Sequence, residues 1–222
     1  MKIGCVLVMY NPQRELLTAS LNALNEQVDE IFLGDNSVNM PDFITTLLNL
    51  YPNTYYHSFN KNLGIAEAQN RGIIYFQKKG FDFVLFMDQD SLAPNNLVSS
   101  LLADYNRLKE IGIPIGGIGP RPFNRGEGKP YIGAVKKGKL ILPKITEVGE
   151  IISSASLIPI PHFKQVGGME SSLFIDGVDH EWCWRAKKIG GWRFFISESV
   201  QLSHQVGEGD RPFIFRKVAI PT

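Results

Sequence analysis

The chain has 222 residues, 44% hydrophobic and 20% charged, which is enough apolar material for one globular domain with a full core. Its 23 basic and 22 acidic residues leave a net charge of +1, which argues against a broadly basic nucleic-acid-binding protein. Two cysteines are too few for a disulfide framework, and the first apolar run, Ile3–Met9, is far shorter than the roughly 18 residues of a membrane span.

The first half of the chain alternates short β-rich runs with helical patterns. The predicted strands are Ile3–Met9, Glu30–Gly34, Thr54–Phe59 and Phe83–Met87, and the predicted helices are Gln13–Asn25, Pro41–Leu50, Gly64–Lys79 and a segment that begins at Pro94. Such βα units predict a parallel sheet covered by helices. Because ligands bind outside the carboxyl ends of the strands in these sheets, we expect the polar residues that follow the strands to lie close together.

The second half has a different pattern, with many glycines and shorter elements. We predict a hairpin over Tyr131–Ile141, strands over Gly149–Ile158, Trp192–Ile196 and Val200–His204, and a helix over Asp179–Ile189. No linker separates the two halves. The pattern therefore predicts an α/β region that continues into an α+β region within one domain.

The segment Asp88-Gln89-Asp90 follows a hydrophobic strand and precedes a helix opened by proline. Two carboxylates that flank one residue at a strand end are expected to face the same pocket, and they suit a hard divalent cation, which prefers oxygen ligands. Such a cation neutralises a diphosphate and makes it a better leaving group. The alternative is a strand-end turn in which Asp90 is the N-cap of the next helix.

Two other polar segments also follow strands. Asp35 could accept the N–H of a pyrimidine ring, or it could form a local Asx-turn. Gly64, with Asn62 and Asn70 on either side, would let the backbone approach a ligand closely at a helix amino end that favours phosphate. The alternative there is a helix start whose small residues pack on the sheet.

Acidic residues also open the helix in the last third of the chain: Asp176, Asp179 and Glu181. A carboxylate there could be the general base that deprotonates an acceptor hydroxyl. The helix dipole favours carboxylates in a first turn, and Arg185 follows Glu181 by four residues, so capping and an ion pair are the structural alternatives. His204 ends a strand and would be a candidate ligand for a nearby metal, since imidazole suits Mn²⁺ better than Mg²⁺.

Taken in order, these segments resemble the family 2 glycosyltransferases of the GT-A fold, and among them the bacterial rhamnosyltransferases. The resemblance rests mainly on Asp88-Gln89-Asp90-Ser91 at a strand end and on the segment FIDGVDHE at residues 174–181. It implies an α/β nucleotide-diphospho-sugar transferase fold, with a mostly parallel central sheet flanked by helices and a smaller mixed sheet on the acceptor side. It also implies a single domain over residues 1–222, with a donor half at 1–115 and an acceptor half at 116–222.

The resemblance further implies transfer of a sugar to a glycan or lipid-linked acceptor in cell-surface glycan synthesis. The expected donor is dTDP-rhamnose, and the expected transfer of rhamnose inverts the configuration at the anomeric carbon. Asp179 is then the expected base. The expected ligands of Mn²⁺ or Mg²⁺ are Asp88, Asp90 and His204. The other expected donor-site residues are Tyr10, Asn11, Asp35, Asn62, Gly64 and Asn70, of which Asp35 would contact the nucleotide base. The expected acceptor-site residues are Asp176, Glu181 and Trp182. The ring of Trp182 would form one wall of the acceptor site.

Two other functions stay open at the level of sequence. A nucleotidyltransferase also combines an α/β sheet with acidic metal ligands, but its Gly-rich basic loop does not follow the first strand here. A non-catalytic nucleotide-sugar-binding domain would not need to keep Asp88, Asp90, Asp179 and His204 together. We expect a cytoplasmic protein, with a peripheral contact at the inner face of the membrane left open and no nucleic-acid partner. Relatives often continue beyond the His204 region, so a chain that ends at Thr222 is either a compact or a truncated member.

Overall fold

The computed structural model of the protein describes residues 1–124, 129–130 and 137–204. Within these residues, ten strands form one sheet that is covered by helices on two faces. The strands are β1 (Ile3–Met9), β2 (Glu30–Asp35), β3 (Thr54–Ser58), β4 (Phe83–Asp88), β5 (Ile115–Asn124), β6 (Lys129–Pro130), β7 (Lys139–Leu142), β8 (Ile145–Val148), β9 (Leu157–Pro159) and β10 (Arg193–His204). The helices are α1 (Arg14–Leu24), α2 (Ile44–Leu50), α3 (Gly64–Lys78), α4 (Leu97–Glu110), α5 (Ile160–Val166) and α6 (Val178–Gly190).

The parallel part of the sheet is built by the first four strands in the order β3-β2-β1-β4. Their register aligns Met9 with Asp35, Asp35 with Ser58, and Val8 with Asp88. The carboxyl ends of β1, β2 and β4 therefore meet at one edge, as the order of strands and acidic residues predicts. The predicted elements of this half are confirmed, with boundaries that differ by no more than a few residues.

The second half extends the same sheet and does not form a smaller sheet of its own. Beyond β4 the order is β9-β5-β10-β8-β7, with β6 paired to β5, and parallel and antiparallel pairs are mixed. The predicted α/β fold is confirmed, and the mixed strand pairing expected on the acceptor side occurs within this one sheet. Antiparallel pairing of the short strand β9 with β4 joins the two parts.

Two predicted elements of the second half need correction, and a third falls largely outside the described residues. The prediction of a strand over Gly149–Ile158 is wrong except at its end, because residues 149–156 form an irregular segment that contains a turn and β9 begins only at Leu157. β7 and β8 form an antiparallel hairpin, and residues 131–136 of the predicted hairpin Tyr131–Ile141 lie outside the described residues. The two predicted last strands are one strand, β10, with an irregularity between Ser197 and Gln201.

Side chains alternate along the strands between two apolar layers. Cys5, Leu7 and Met9 pack on the face covered by α1 and α4, whereas Val6 packs on the face covered by α3 and α6. This alternation explains the continuous apolar runs in the sequence, since a strand that is buried on both faces carries no polar side. No helix in the described part of the chain is both long and apolar enough to cross a membrane.

A buried histidine in α5 makes stability depend on pH. The Nε2 of His162 is 2.9 Å from the Ile115 carbonyl oxygen, and its ring lies 3.8 Å from that of Trp192. Burial lowers the pKa of His162 from its usual 6.5. Just below about pH 6.5, this histidine is therefore protonated in the unfolded chain but still neutral in the folded chain. We expect stability to be level above that pH and to fall below it.

The measurement is urea unfolding of the wild type and of His162→Gln at pH 7.5 and 5.5. Glutamine can donate to the same carbonyl but does not titrate. The wild type should lose more stability than the variant between these two pH values. Equal losses in the two proteins would contradict this assignment.

Candidate active site

Two of the predicted acidic residues, Asp88 and Asp179, line the same cavity of about 220 Å³ at the carboxyl edge of the sheet. The other residues that line it are Ile65, Ile152, Ser153, Ser154, Ile175 and Val178. The cavity thus has two carboxylates, a pair of serines and an aliphatic wall. The two acids come from β4 and α6, which lie in different halves of the sequence.

At the end of β4, the glutamine of the Asp-Gln-Asp segment and the two aspartates that flank it have different contacts. The amide of Gln89 accepts from the Tyr10 backbone N–H at 2.9 Å and donates to the Tyr10 carbonyl at 3.2 Å, which ties the ends of β4 and β1 together. Asp88 is half-buried and accepts a hydrogen bond from the Ser154 hydroxyl, whereas Asp90 is exposed. Both carboxylates therefore lie at the end of one strand, one of them in the cavity wall.

The described residues include no cluster of three or more His, Cys, Asp or Glu side chains that could hold a metal ion. Two carboxylates at one strand end still fit Mg²⁺ or Mn²⁺, because such ions are commonly bound by one or two carboxylates together with substrate phosphates. His204, the third expected ligand, has its backbone at the end of β10 opposite Asn124, and its side chain lies outside the described residues.

Asp179 lies in the first turn of α6, which begins after Gly177 in a left-handed conformation. Its Oδ2 accepts the Ser153 backbone N–H at 3.0 Å, and its Oδ1 accepts the N–H of His180 at 2.9 Å. About a quarter of the side chain is exposed, and the His180 Nε2 is 3.9 Å from Oδ1. Asp179 is therefore held in a fixed orientation in the cavity wall while it keeps access to solvent.

The carboxylate of Asp35, expected to contact a nucleotide base, is fully buried and has a partner on each oxygen. Oδ1 accepts the Ser37 N–H at 2.8 Å, and Oδ2 accepts the Tyr56 hydroxyl at 2.8 Å. Burial, with a further contribution from Asp35, raises the pKa of Tyr56 to about 12. The Asx-turn alternative describes this geometry, and contact with a base would require the buried carboxylate to become accessible.

Gly64 makes a close approach, but to another part of the chain and not to an open anion site. At φ +80°, an added Cβ would lie 2.5 Å from the Phe174 carbonyl oxygen. That oxygen accepts the N–H groups of Ile65 at 2.7 Å and Ala66 at 3.3 Å, and the Asn62 side chain accepts the Gly64 N–H at 2.9 Å. The expectation of phosphate at this helix end is corrected, since these N–H groups already have acceptors.

Three further candidates have structural contacts in place of the expected ligand contacts. The Asn70 amide donates to the Met169 carbonyl at 2.9 Å and accepts the Met169 N–H at 2.7 Å. Glu181 pairs with Arg185 at 2.7 Å, as the ion-pair alternative predicts. Trp182 is 1% exposed and donates to the Gly167 carbonyl at 3.0 Å, so it is a core residue and not an acceptor-site wall.

The remaining candidates lie at the surface. Tyr10, Asn11 and Asp176 are exposed, and the Asn11 N–H donates to the Ser37 hydroxyl at 2.8 Å.

Ser153 and Ser154 are cavity residues that the sequence analysis does not identify, because it predicts a strand over Gly149–Ile158. The serine-rich stretch Ser153-Ser154-Ala155-Ser156 is typical of a turn and was the available signal.

Comparisons with known proteins identify the family of this chain. The family model described as "Glycosyl transferase family 2" matches residues 5–154. A dTDP-rhamnosyl transferase, RfbF of Shigella flexneri, is 31% identical over 216 residues, which cover 93% of this chain and 70% of the relative.

Solved structures show the same fold at low sequence identity. GalNAc-T7 with UDP, GalNAc and Mn²⁺ aligns over 92% of this chain with a TM-score of 0.73 and 14% identity. Residues 1–349 of TarS from S. aureus, in complex with UDP, align over 93% with a TM-score of 0.67 and 17% identity. The chain spans 44% and 61% of these two solved chains.

Family membership sets aside the nucleotidyltransferase and non-catalytic alternatives. The family model covers more than half of the chain, and the matched range contains most of β1 and all of β2 to β4, with Asp35, Asp88 and Asp90. The fold is that of GT-A glycosyltransferases. The chain belongs to glycosyltransferase family 2 and is a rhamnosyltransferase-like member of it.

Proposed function

We propose that this chain transfers rhamnose from dTDP-rhamnose to a hydroxyl of a glycan or lipid-linked acceptor, with inversion and with the help of a divalent cation. The observation that carries the proposal is the shared cavity of Asp88 and Asp179 at the carboxyl edge of the sheet. One acid follows a donor-half strand and the other opens an acceptor-half helix. A reaction between two substrates needs such an arrangement.

In the proposed reaction, the acceptor oxygen attacks the anomeric carbon of the donor sugar. The bond from that carbon to the diphosphate oxygen breaks, and its electron pair leaves with the nucleoside diphosphate. Asp179 takes the proton of the attacking hydroxyl, a role supported by its partial exposure and its fixed orientation. A single displacement of this kind inverts the configuration at the anomeric carbon.

Asp88 and Asp90 would hold Mn²⁺ or Mg²⁺, with His204 as a further ligand. The bound cation would neutralise the diphosphate and so improve it as a leaving group. Tyr10 and Asn11 are proposed to line the nucleotide site, because both are exposed beside the end of β1. Asp176, exposed just before α6, is proposed to contact the acceptor.

The aliphatic lining of the cavity supports rhamnose as the donor sugar. Ile65, Ile152, Ile175 and Val178 form its apolar wall. A 6-deoxy sugar such as rhamnose carries a methyl group where other hexoses carry a hydroxymethyl group, and a buried apolar contact is worth about 1–3 kcal/mol. The name of the Shigella relative agrees with this choice.

A cytoplasmic location, at the inner face of the membrane, is also part of the proposal.

The test is a thermal-shift series with dTDP, UDP, GDP and CDP, each with and without Mn²⁺, followed by turnover of the donor that matches. A nucleotide at ~100 times its Kd adds about 2.7 kcal/mol, which raises the Tm by roughly 5–11 °C in a chain of this size. We expect a Mn²⁺-dependent shift with dTDP and release of free dTDP from dTDP-rhamnose. A shift with UDP or GDP would replace rhamnose with another sugar, and no shift at all would contradict the proposal.

Replacement of Asp90 with alanine should remove the dependence of nucleotide binding on metal. Asp90 is exposed at the end of β4, so its loss should leave the Tm without ligand within about 2 °C, because surface substitutions usually change stability by no more than ~0.5 kcal/mol. Binding of dTDP, measured by calorimetry with and without Mn²⁺, should become weak and equal in the two conditions. Glu26→Ala, an exposed acid at the opposite edge of the sheet, is the control. Undiminished Mn²⁺-dependent binding would remove Asp90 from the metal site.

A further inference from the structure

A single turn, Ser153–Ser156, contacts both acids of the cavity. The Ser154 hydroxyl donates to Oδ2 of Asp88, and the Ser153 backbone N–H donates to Oδ2 of Asp179 at 3.0 Å. Adjacent residues of the turn thus hold the donor-side acid and the acceptor-side acid. Ser153 and Ser154 are also part of the cavity lining.

The turn is fixed to the strand that carries Asp88. The Ala155 N–H donates to the Phe86 carbonyl at 2.8 Å, and the Phe86 N–H donates to the Ser156 carbonyl at 3.0 Å. A bond of 3.1 Å from the Ser156 N–H to the Ser153 carbonyl closes the turn. Because Phe86 is two residues before Asp88, any movement of β4 carries the turn with it.

The turn also has a strained centre. Ala155 is fully buried with φ at +60°, a left-handed conformation that is unfavourable for a residue other than glycine. Such conformations persist where the surrounding structure holds them, and they are frequent at functional sites. Here the bonds to Phe86 hold the conformation, and the conformation directs Ser153 and Ser154 towards two different acids.

We propose that Ser154 is a positioning residue of this enzyme. Its hydroxyl sets the orientation of the Asp88 carboxylate relative to Asp179, so that the donor is presented to the base at the right distance. The inference rests on the proposed function, since it gives Asp88 the donor and Asp179 the proton. An error of 1 Å in such an alignment costs about 100-fold in rate, and loss of a residue that orients a ligand-binding group typically costs 10–100-fold.

The experiment compares four variants: Ser154→Ala, Ser154→Thr, Ser154→Val and Ser156→Ala. Threonine and valine have nearly the same shape, so the difference between them isolates the hydroxyl. Ser156 lies in the same turn, and its hydroxyl donates only weakly, at 3.3 Å, to the Ser153 carbonyl. Steady-state turnover of dTDP-rhamnose, KM for the donor and Tm are measured for each protein.

We expect Ser154→Ala and Ser154→Val to lower kcat about 10–100-fold with a small change in KM for the donor. Ser154→Thr should stay within about 3-fold of the wild type, a difference of less than 1 kcal/mol in activation free energy, and Ser156→Ala should be near wild type. Similar Tm values for Ser154→Thr and Ser154→Val would exclude unfolding as the cause of the difference in rate between these two variants.

Equal rates for Thr and Val, or an undiminished rate for Ser154→Ala, would overturn the positioning role while the wild type remains active. An equal loss in Ser156→Ala would also overturn it, because the turn would then act only through the fold. A folded wild type that releases no nucleoside diphosphate from any donor would overturn the proposed function, and the inference with it.

Discussion

The change Asp179→Asn should lower sugar transfer by about 100- to 10,000-fold and leave donor binding intact. Asparagine cannot accept a proton at this position, and general-base catalysis contributes a factor of that size. Asp179 does not belong to the Asp-Gln-Asp segment at the end of β4, so metal-dependent binding of dTDP should keep its affinity. Release of dTDP from dTDP-rhamnose measures transfer, and the thermal shift with dTDP and Mn²⁺ measures binding.

A small loss of stability is expected in the same variant. Asp179 accepts N–H groups from Ser153 and His180, and an asparagine side chain has only one oxygen to accept them. This should cost about 1 kcal/mol, or roughly 2–4 °C in Tm. The control is Glu110→Gln, which removes an exposed acid at the end of α4 and should transfer sugar at the wild-type rate. A rate for Asp179→Asn close to the wild type would show that another group is the base.

The change Gly64→Ala should strongly destabilise the protein, because it combines a clash with backbone and a left-handed conformation. The new Cβ would meet the Phe174 carbonyl oxygen at 2.5 Å and the Phe174 ring at 2.6 Å, in a backbone conformation at φ +80°. Conformational strain of about 1–2 kcal/mol and a steric clash of about 1–3 kcal/mol add to roughly 3 kcal/mol. That corresponds to a Tm lower by roughly 6–12 °C.

Gly80→Ala is the matched control for this variant. Gly80 has a similar φ of +69°, but nothing lies within 4 Å of the position of its Cβ. It should therefore show the strain without the clash, a loss of about 1 kcal/mol, or roughly 2–4 °C. Gly64→Ala should also reduce turnover, because Phe174 precedes Ile175 in the cavity wall. Equal Tm losses in the two variants would contradict the role of the Phe174 contact.

The first half of the fold could be predicted from sequence because its signals are local. Each buried strand is a continuous apolar run with polar residues at its end, and the helices between them have a clear periodicity. The second half lacks such signals. The apolar residues of Gly149–Ile158 are divided between an irregular segment and the start of β9. Helix α5 has seven residues, with Pro161 in its first turn, and is too short to show a period.

The same distinction applies to the site. The position of Asp88 at a strand end and that of Asp179 at a helix start follow from neighbouring residues. The partners of Asp35 and Gly64 do not, because Tyr56 and Phe174 reach them from distant parts of the chain. Trp182 was assigned to the acceptor because spacing does not reveal which face of α6 is buried; Trp184, two residues on, is the exposed tryptophan.

The position of β9 has a consequence for the two halves of the chain. Phe83, Val84 and Leu85 of β4 pair with this strand, which lies between β4 and β5 in the sheet. A fragment of residues 1–115 would leave β4 as an open edge, with an apolar row of unpaired backbone groups of the kind that promotes aggregation. The Phe174 carbonyl that caps α3 would be missing as well. We therefore expect residues 1–115 and 116–222, the proposed donor and acceptor halves, to fold only together.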